Sequence, residues 1–126
     1  MPYPGYTFRN RFATVGGHRM HYIDEGPIDG EPVVMVHGNP TWSFFFRGLI
    51  EDLCPRYRVI APDHIGMGLS ATPSETDYTY TLSSRIDDLE ALLDARAVAR
   101  DITLVVHDWG GSIGLGYALR HPERIR

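Results

Sequence analysis

The sequence predicts an α/β fold: a hairpin followed by strand–helix units on a mixed, mostly parallel sheet. Two observations predict it. Gly16-Gly17 separates two alternating segments at the start, the pattern of a tight two-residue hairpin. Beyond it, short apolar, β-branched runs at residues 32–36, 57–61 and 102–106 are each followed by a loop and a helical pattern, the alternation that builds strand–helix units.

Taken in order, residues 7–15 and 18–24 form the hairpin, and residues 26–31 form a polar connection broken by Pro27 and Gly30. A strand at 32–36 leads to a helix over 43–53, then a strand at 57–61 and a long loop to about Tyr80. Within that loop, residues 71–79 are polar and read as surface. The helix over 82–95 rests on Leu82, Ile86, Leu89, Leu92 and Leu93, with charged residues mostly outside the stripe. Such three-to-four spacing marks the face of a helix that enters a core. A strand at 102–106 and a helix over 110–120 complete the pattern, with no internal repeat and no low-complexity tract.

Length and composition narrow the function classes. A chain of 126 residues suits one domain with a real core, and 43% hydrophobic with 22% charged residues is ordinary for a soluble globular protein. A net charge of -4 argues against a nucleic-acid partner, which selects for a basic face. All twelve basic residues are Arg, a pattern read here as coding bias. Cys54 is the single cysteine; this fits a reducing, cytoplasmic setting, and its apolar surroundings suggest core filler. The first six residues lack the basic start and apolar stretch of a signal peptide. No apolar run reaches membrane-spanning length, and the six His show no metal-ligand spacing, so no metal site is expected.

The most informative stretch is Val106-His-Asp-Trp-Gly-Gly111. It puts Asp108 where a strand turns sharply into a helix, with Gly110, Gly111, Gly114 and Gly116 allowing that helix to pack closely. This is the pattern of a nucleophile elbow, with Asp in the position that serine usually holds. A carboxylate there can attack carbon and form an ester. An Asp before a helix is also a common N-cap, so alone the motif is balanced between the two readings.

A second motif shifts that balance. His37-Gly-Asn-Pro-Thr-Trp42 follows the strand at 32–36. In elbow enzymes the loop at this place donates one oxyanion N–H, and the residue after the nucleophile donates the other. Asn39 and Trp109 occupy these places, and each adds a side-chain N–H able to hold a leaving anion. Read alone, His37-Gly-Asn-Pro would be a plain turn. A third loop, Pro62-Asp-His-Ile-Gly-Met-Gly-Leu-Ser70, offers Asp63 and His64. Neighbours on a tight loop rarely converge on one reacting atom, so both read as loop-shaping groups. Trp42 and Phe45 are candidates for lining an acyl or alkyl pocket, although at least one residue of Phe44-Phe-Phe46 faces the core.

Together these motifs resemble the α/β-hydrolase superfamily, in the branch of haloalkane dehalogenases and epoxide hydrolases with an Asp nucleophile. Epoxide hydrolases generally carry Gly two residues before the nucleophile and an aromatic after the first His-Gly. Val106 and Asn39 stand there in this chain, the dehalogenase-like choice. The wider wording is similar to the β-lactone decarboxylases of bacterial long-chain olefin biosynthesis. It includes Tyr3-Pro-Gly-Tyr6, Asp24-Glu-Gly-Pro27, Pro55-Arg-Tyr-Arg58 and Tyr80-Thr-Leu82. That resemblance implies a hydrophobic β-lactone substrate, attacked by Asp108 with Asn39 and Trp109 stabilising negative charge, and cis-alkene and carbon dioxide as products. It implies no cofactor, and the β-lactone synthetase and reductase of the same pathway as partners. The alternative is a haloalkane dehalogenase, and a third reading is a non-catalytic interaction module.

In this superfamily the acid and the His follow the nucleophile in the chain. His121 is too near the Asp108 helix to swing back over it and reads instead as a helix-end residue suited to the dipole. Residues 1–126 therefore read as the N-terminal part of one catalytic domain, without the lid, the later strands, the acid or the base. The expectation is that these residues alone are inactive and leave the strand at 102–106 as an open apolar edge.

Overall fold

A computed structural model describes residues 3–126; the signal-peptide reading of the first six residues falls partly on residues 1–2, outside that range. Five strands, β1 (Arg11–Val15), β2 (His18–Glu25), β3 (Pro32–Val36), β4 (Arg58–Pro62) and β5 (Thr103–Val106), form one sheet in the order β1-β2-β4-β3-β5. The hairpin pairs antiparallel, with Val15 opposite His18 across the Gly16-Gly17 turn. Both turn glycines have positive φ, at 53° and 84°, a conformation that costs a residue without Cβ little. β2 continues antiparallel onto β4, whereas β3 pairs parallel with β4 on one side and β5 on the other. The expected mixed sheet with a parallel centre is present.

Three α-helices cover the sheet: α1 (Arg47–Leu53), α2 (Leu82–Ala95) and α3 (Trp109–Arg120). Alternation along β3 divides the core between the two faces. Val34 and Val36 join Ile60, Leu89, Leu92, Ile113 and Tyr117 on the α2–α3 side. Val33 and Met35 join Ile23, Val59, Phe46 and Ile50 on the α1 side. Burial on both faces explains why the central strands read as continuous apolar runs.

Two expectations need correction. The first strand begins at Arg11, not residue 7, because Tyr6 and Phe8 leave the ladder to enter the α1-side core. The helix expected over 43–53 is split into a 3-10 turn, Ser43–Phe46, and α1. Its tighter winding buries Phe46, turns Phe45 outward and leaves Phe44 under the Arg47 guanidinium, 4.0 Å from the ring centroid.

At the base of the sheet one ion cluster ties three elements together. Asp24 on β2 accepts from Arg58 Nε and Nη2 on β4, at 3.0 and 2.8 Å, and from Arg96 beyond α2 at 3.0 Å. Burial alone would raise the Asp24 pKa, but the two guanidiniums outweigh it and hold the carboxyl below its usual range. β5 lies at the sheet edge with β3 on its inner side; just before it, Ile102 forms an isolated parallel bridge with Ile125 among the described residues. Next to it α3 exposes Leu115 at 60% and Leu119 at 83%.

Removing Asp24 would leave two guanidiniums facing each other in a largely dry site. Asp24→Ala is expected to lower unfolding free energy by about 3–5 kcal/mol, the cost of breaking a buried ion cluster, as measured by urea denaturation.

Candidate active site

The parallel strands β3, β4 and β5 end at the same rim, and the loops that follow them meet there. Asp108 stands between β5 and α3 with φ 56° and ψ -129°, a region that a residue with a Cβ enters only under strain. It occupies the N-cap position of α3, yet its side chain makes no capping bond. Its Oδ2 instead accepts from the Asn39 N–H at 2.9 Å. The elbow geometry therefore prevails over the plain cap, and the side chain is exposed above the rim. The Asn39 amide first, and the Trp109 amide second, hold the Asp108 carboxyl below the usual carboxylate pKa.

Close packing makes this bend fit. A Cβ on Gly38 would run into the Cβ of Asp108 and approach its Oδ2 to 2.7 Å. One on Gly110 would strike the Val36 carbonyl, and one on Gly114 would come within 2.7 Å of Val106. Gly116 is different from the expectation: it opens space for Ile86 of α2, not for the strand. Gly111 meets only Val106 at 4.0 Å, so no close approach there demands glycine.

Beneath the rim, His37 and His64 lock two loops to each other. The His64 N–H donates to His37 Nε2 at 3.0 Å, which leaves the His37 proton on Nδ1, donated to the Gly38 carbonyl at 2.8 Å. His64 Nε2–H in turn donates to the His37 carbonyl at 2.8 Å. Burial lowers the pKa of both rings; the Arg85 charge adds to it at His37, and the neighbouring His37 and then Arg85 add to it at His64, which is pushed down to about 3. Both rings thus work as neutral hydrogen-bonding struts.

Asp63 has the same kind of role. Its Oδ1 accepts from the Ser43 N–H at 2.8 Å, and its Oδ2 from the Leu69 N–H at 3.0 Å and the His21 Nδ1–H at 2.8 Å. Burial would raise its pKa, but the His21 bond and the two amides overcome that and keep it low. Neither Asp63 nor His64 reaches the exposed rim; both shape the loops.

Two hollows flank the elbow. One, about 270 Å³, is bounded by Asp108, Trp109 and Ser112. The other, about 260 Å³, is lined by Asn39, Trp109, Tyr80, Thr81, Leu82, Arg85 and Ile113. Asn39 and Trp109 thus meet at one cavity, Trp109 with 51% of its surface exposed. The contribution of the α2 start was missed by motif reasoning. Its one signal was Tyr80-Thr-Leu82, noted as part of a resemblance and not as a lining.

Trp42 and Phe45, expected near a pocket, line neither hollow. Trp42 stacks on Tyr6 and Phe44 at centroid distances of 5.3 and 5.4 Å, within the α1-side core. Phe45 stacks on His107 at 4.4 Å, beside the elbow. His121 terminates α3 and contacts Glu90 of α2, well placed as a helix-end group. Among the described residues, no group of three or more His, Cys, Asp or Glu could hold a metal ion. No described helix is long and apolar enough to cross a membrane.

A parallel-centred sheet with a strained carboxylate between strand and helix defines the α/β-hydrolase class of fold. Comparison with known proteins agrees: residues 31–126 match the alpha/beta hydrolase fold family, and the chain belongs to it. It is 59% identical over 119 residues to a cis-3-alkyl-4-alkyloxetan-2-one decarboxylase from Shewanella oneidensis, covering 94% of this chain and 37% of that protein. Identity to the protein of the same name from Xanthomonas campestris is 52%, covering 100% and 44%. A haloalkane dehalogenase from Mycobacterium marinum is 42% identical, covering 96% and 42%. The solved haloalkane dehalogenase from Agrobacterium tumefaciens superposes with a TM-score of 0.86 at 34% identity, covering 99% and 42%. The chain spans about two fifths of the length of these relatives and corresponds to an N-terminal part of the fold.

The neutral His struts give a pH signature. An unfolded His titrates near about 6.5, whereas folded His64 does so at about 3. Protons therefore bind the unfolded state first, and stability present above about pH 6.5 is lost as pH falls towards 3. Urea midpoints should fall progressively between about pH 7 and 4.5, above the range where carboxylates dominate. His64→Gln should flatten that slope at the cost of lower stability at neutral pH.

Proposed function

We propose that this chain carries the nucleophile and anion-stabilising elements of an enzyme that decarboxylates a long-chain cis-β-lactone to a cis-olefin and carbon dioxide. The observation that carries this reading is Asp108, strained at the elbow with one oxygen held by a backbone amide. The names of the 59% and 52% identical relatives support the substrate class.

The geometry suits a carboxylate nucleophile. The Asn39 amide fixes Oδ2, which orients the carboxylate and leaves Oδ1 free to attack the strained ring. Holding the pKa low keeps Asp108 ionised and ready at neutral pH. After attack, Oδ2 becomes the carbonyl oxygen of an ester, still within reach of the same amide. Pre-set donors of this kind stabilise charge without reorganising during the reaction. The Asn39 carboxamide and Trp109 indole at the neighbouring hollow add donors for the anion that departs from the attacked carbon. No cofactor enters this route, and the β-lactone synthetase and reductase of olefin biosynthesis are its proposed partners, because the intermediate is poorly soluble.

The pairing of Asn39 with Trp109 favours a second reading, hydrolytic dehalogenation, in which the two side chains hold a halide. The reactions separate on products. The full-length protein given a cis-β-lactone should release alkene and carbon dioxide; bromide and alcohol from a bromoalkane, with an inert lactone, would favour the second reading. Asp108→Asn should reduce turnover by at least about 10⁴-fold, in line with loss of an essential catalytic group. Turnover of neither substrate would favour the non-catalytic module.

A further inference from the structure

The cavity beside the elbow contains a cation that the proposed chemistry has not yet used. Arg85, one turn into α2, lines it together with Asn39 and Trp109. Arg58, Arg96, Arg120, Arg124 and Arg126 all take part in ion pairs with carboxylates. Arg85 makes no ion pair with a carboxylate among the described residues, as is also true of Arg9, Arg11, Arg19, Arg47, Arg56 and Arg100, and it acts on the Asp88 carboxyl only through its charge. What sets it apart is its place on this cavity. Its described hydrogen bond runs from Nη1 to the Ile65 carbonyl at 2.7 Å, and its guanidinium lies 5.7 Å from the Tyr80 ring centroid. Buried side-chain atoms without partners are Arg11 Nε and Ser43 Oγ among the described residues, so the other Arg85 donors are not sealed inside the protein.

A second feature of the same wall has the same sign. Thr81 and Leu82, also lining the cavity, begin the 14-residue helix α2. Thr81 Oγ1 accepts from the Ser84 N–H at 3.2 Å, and the first turn holds no acidic residue. The positive end of the helix is therefore not neutralised from within. A partly buried guanidinium and a helix N-terminus meeting at one hollow favour a planar anion over a neutral chain.

We propose that Arg85 and the first turn of α2 form a carboxylate subsite, which holds the carboxylate unmasked when Asp108 opens the lactone. This rests on the reading of the protein as a β-lactone decarboxylase. Asp108 Oδ1 forms a bond to the ring carbon that bears the ring oxygen, and the bond between that carbon and the ring oxygen breaks. The electron pair goes to the ring oxygen, which becomes part of a carboxylate on the adjacent carbon. That carboxylate then leaves as carbon dioxide: its carbon–carbon bond supplies the new double bond, and the ester bond to Asp108 breaks to restore the free carboxylate. No water, oxidant or external proton is consumed. Arg85 acts on the first step, where carboxylate charge appears beside it.

The test uses full-length protein carrying Asp108→Asn, whose neutral amide stands in for the esterified carboxylate. The probe is the 3-hydroxy acid made by hydrolysing the lactone, with its methyl ester as neutral control, titrated by calorimetry. Adding Arg85→Gln should weaken acid binding by about 10- to 100-fold, the range of a charge-assisted hydrogen bond, and leave the ester unchanged. Arg85→Lys keeps the charge without the planar fork and should lie between. Equal acid affinity with and without Arg85, equal loss of acid and ester, or no acid binding in the Asp108→Asn protein would each overturn the subsite. Alkene formation from the lactone by unsubstituted protein decides the decarboxylase reading separately, whatever the titration shows.

Discussion

The site depends on one strained residue. Asp108 holds φ 56° at the junction of β5 and α3, a conformation that costs about 1–3 kcal/mol and persists only when its surroundings over-determine it. Those surroundings are specific: the Asn39 amide on Oδ2, the bare Cα of Gly38 beneath it, and Gly110 pressed on the Val36 carbonyl. Relaxing the bend would carry the carboxylate away from the Asn39 amide and break that hydrogen bond.

Buried polar groups carry that constraint into the sheet. Asp63 gathers the Ser43 and Leu69 amides with His21, so the loop after β4 and the turn after β3 share one carboxylate. His37 and His64 exchange bonds directly beneath the rim. A network of this kind is stiff while every member is satisfied and costly once one member is lost. The loop carrying Asn39 is therefore positioned by groups buried below the rim.

Much of this was legible in the sequence because the signals were local. Apolar runs gave β3, β4 and β5, the leucine stripe gave α2, and glycines around Asp108 gave the elbow. What escaped depended on distant partners. The start of β1 was misplaced because Tyr6 and Phe8 alternate like a strand but are claimed by the α1-side core. Trp42 looked like a pocket residue until the 3-10 turn stacked it on Tyr6 and Phe44. Arg85 read as a polar position on an amphipathic helix; only the meeting of α2 with the Asn39 and Trp109 loops turns it towards a cavity. Asp63 and His64 were read as loop-shaping, and their bonds show how.

The central claim is that Asp108 attacks carbon and carries the substrate as an ester. Rapid quenching of full-length protein during turnover of the β-lactone, followed by peptide mass mapping, tests it most directly. The account predicts a transient adduct of the full lactone mass on the peptide bearing Asp108, rising before alkene and decaying with it. Alkene accumulating with no adduct at any time, or an adduct on another residue, would contradict it.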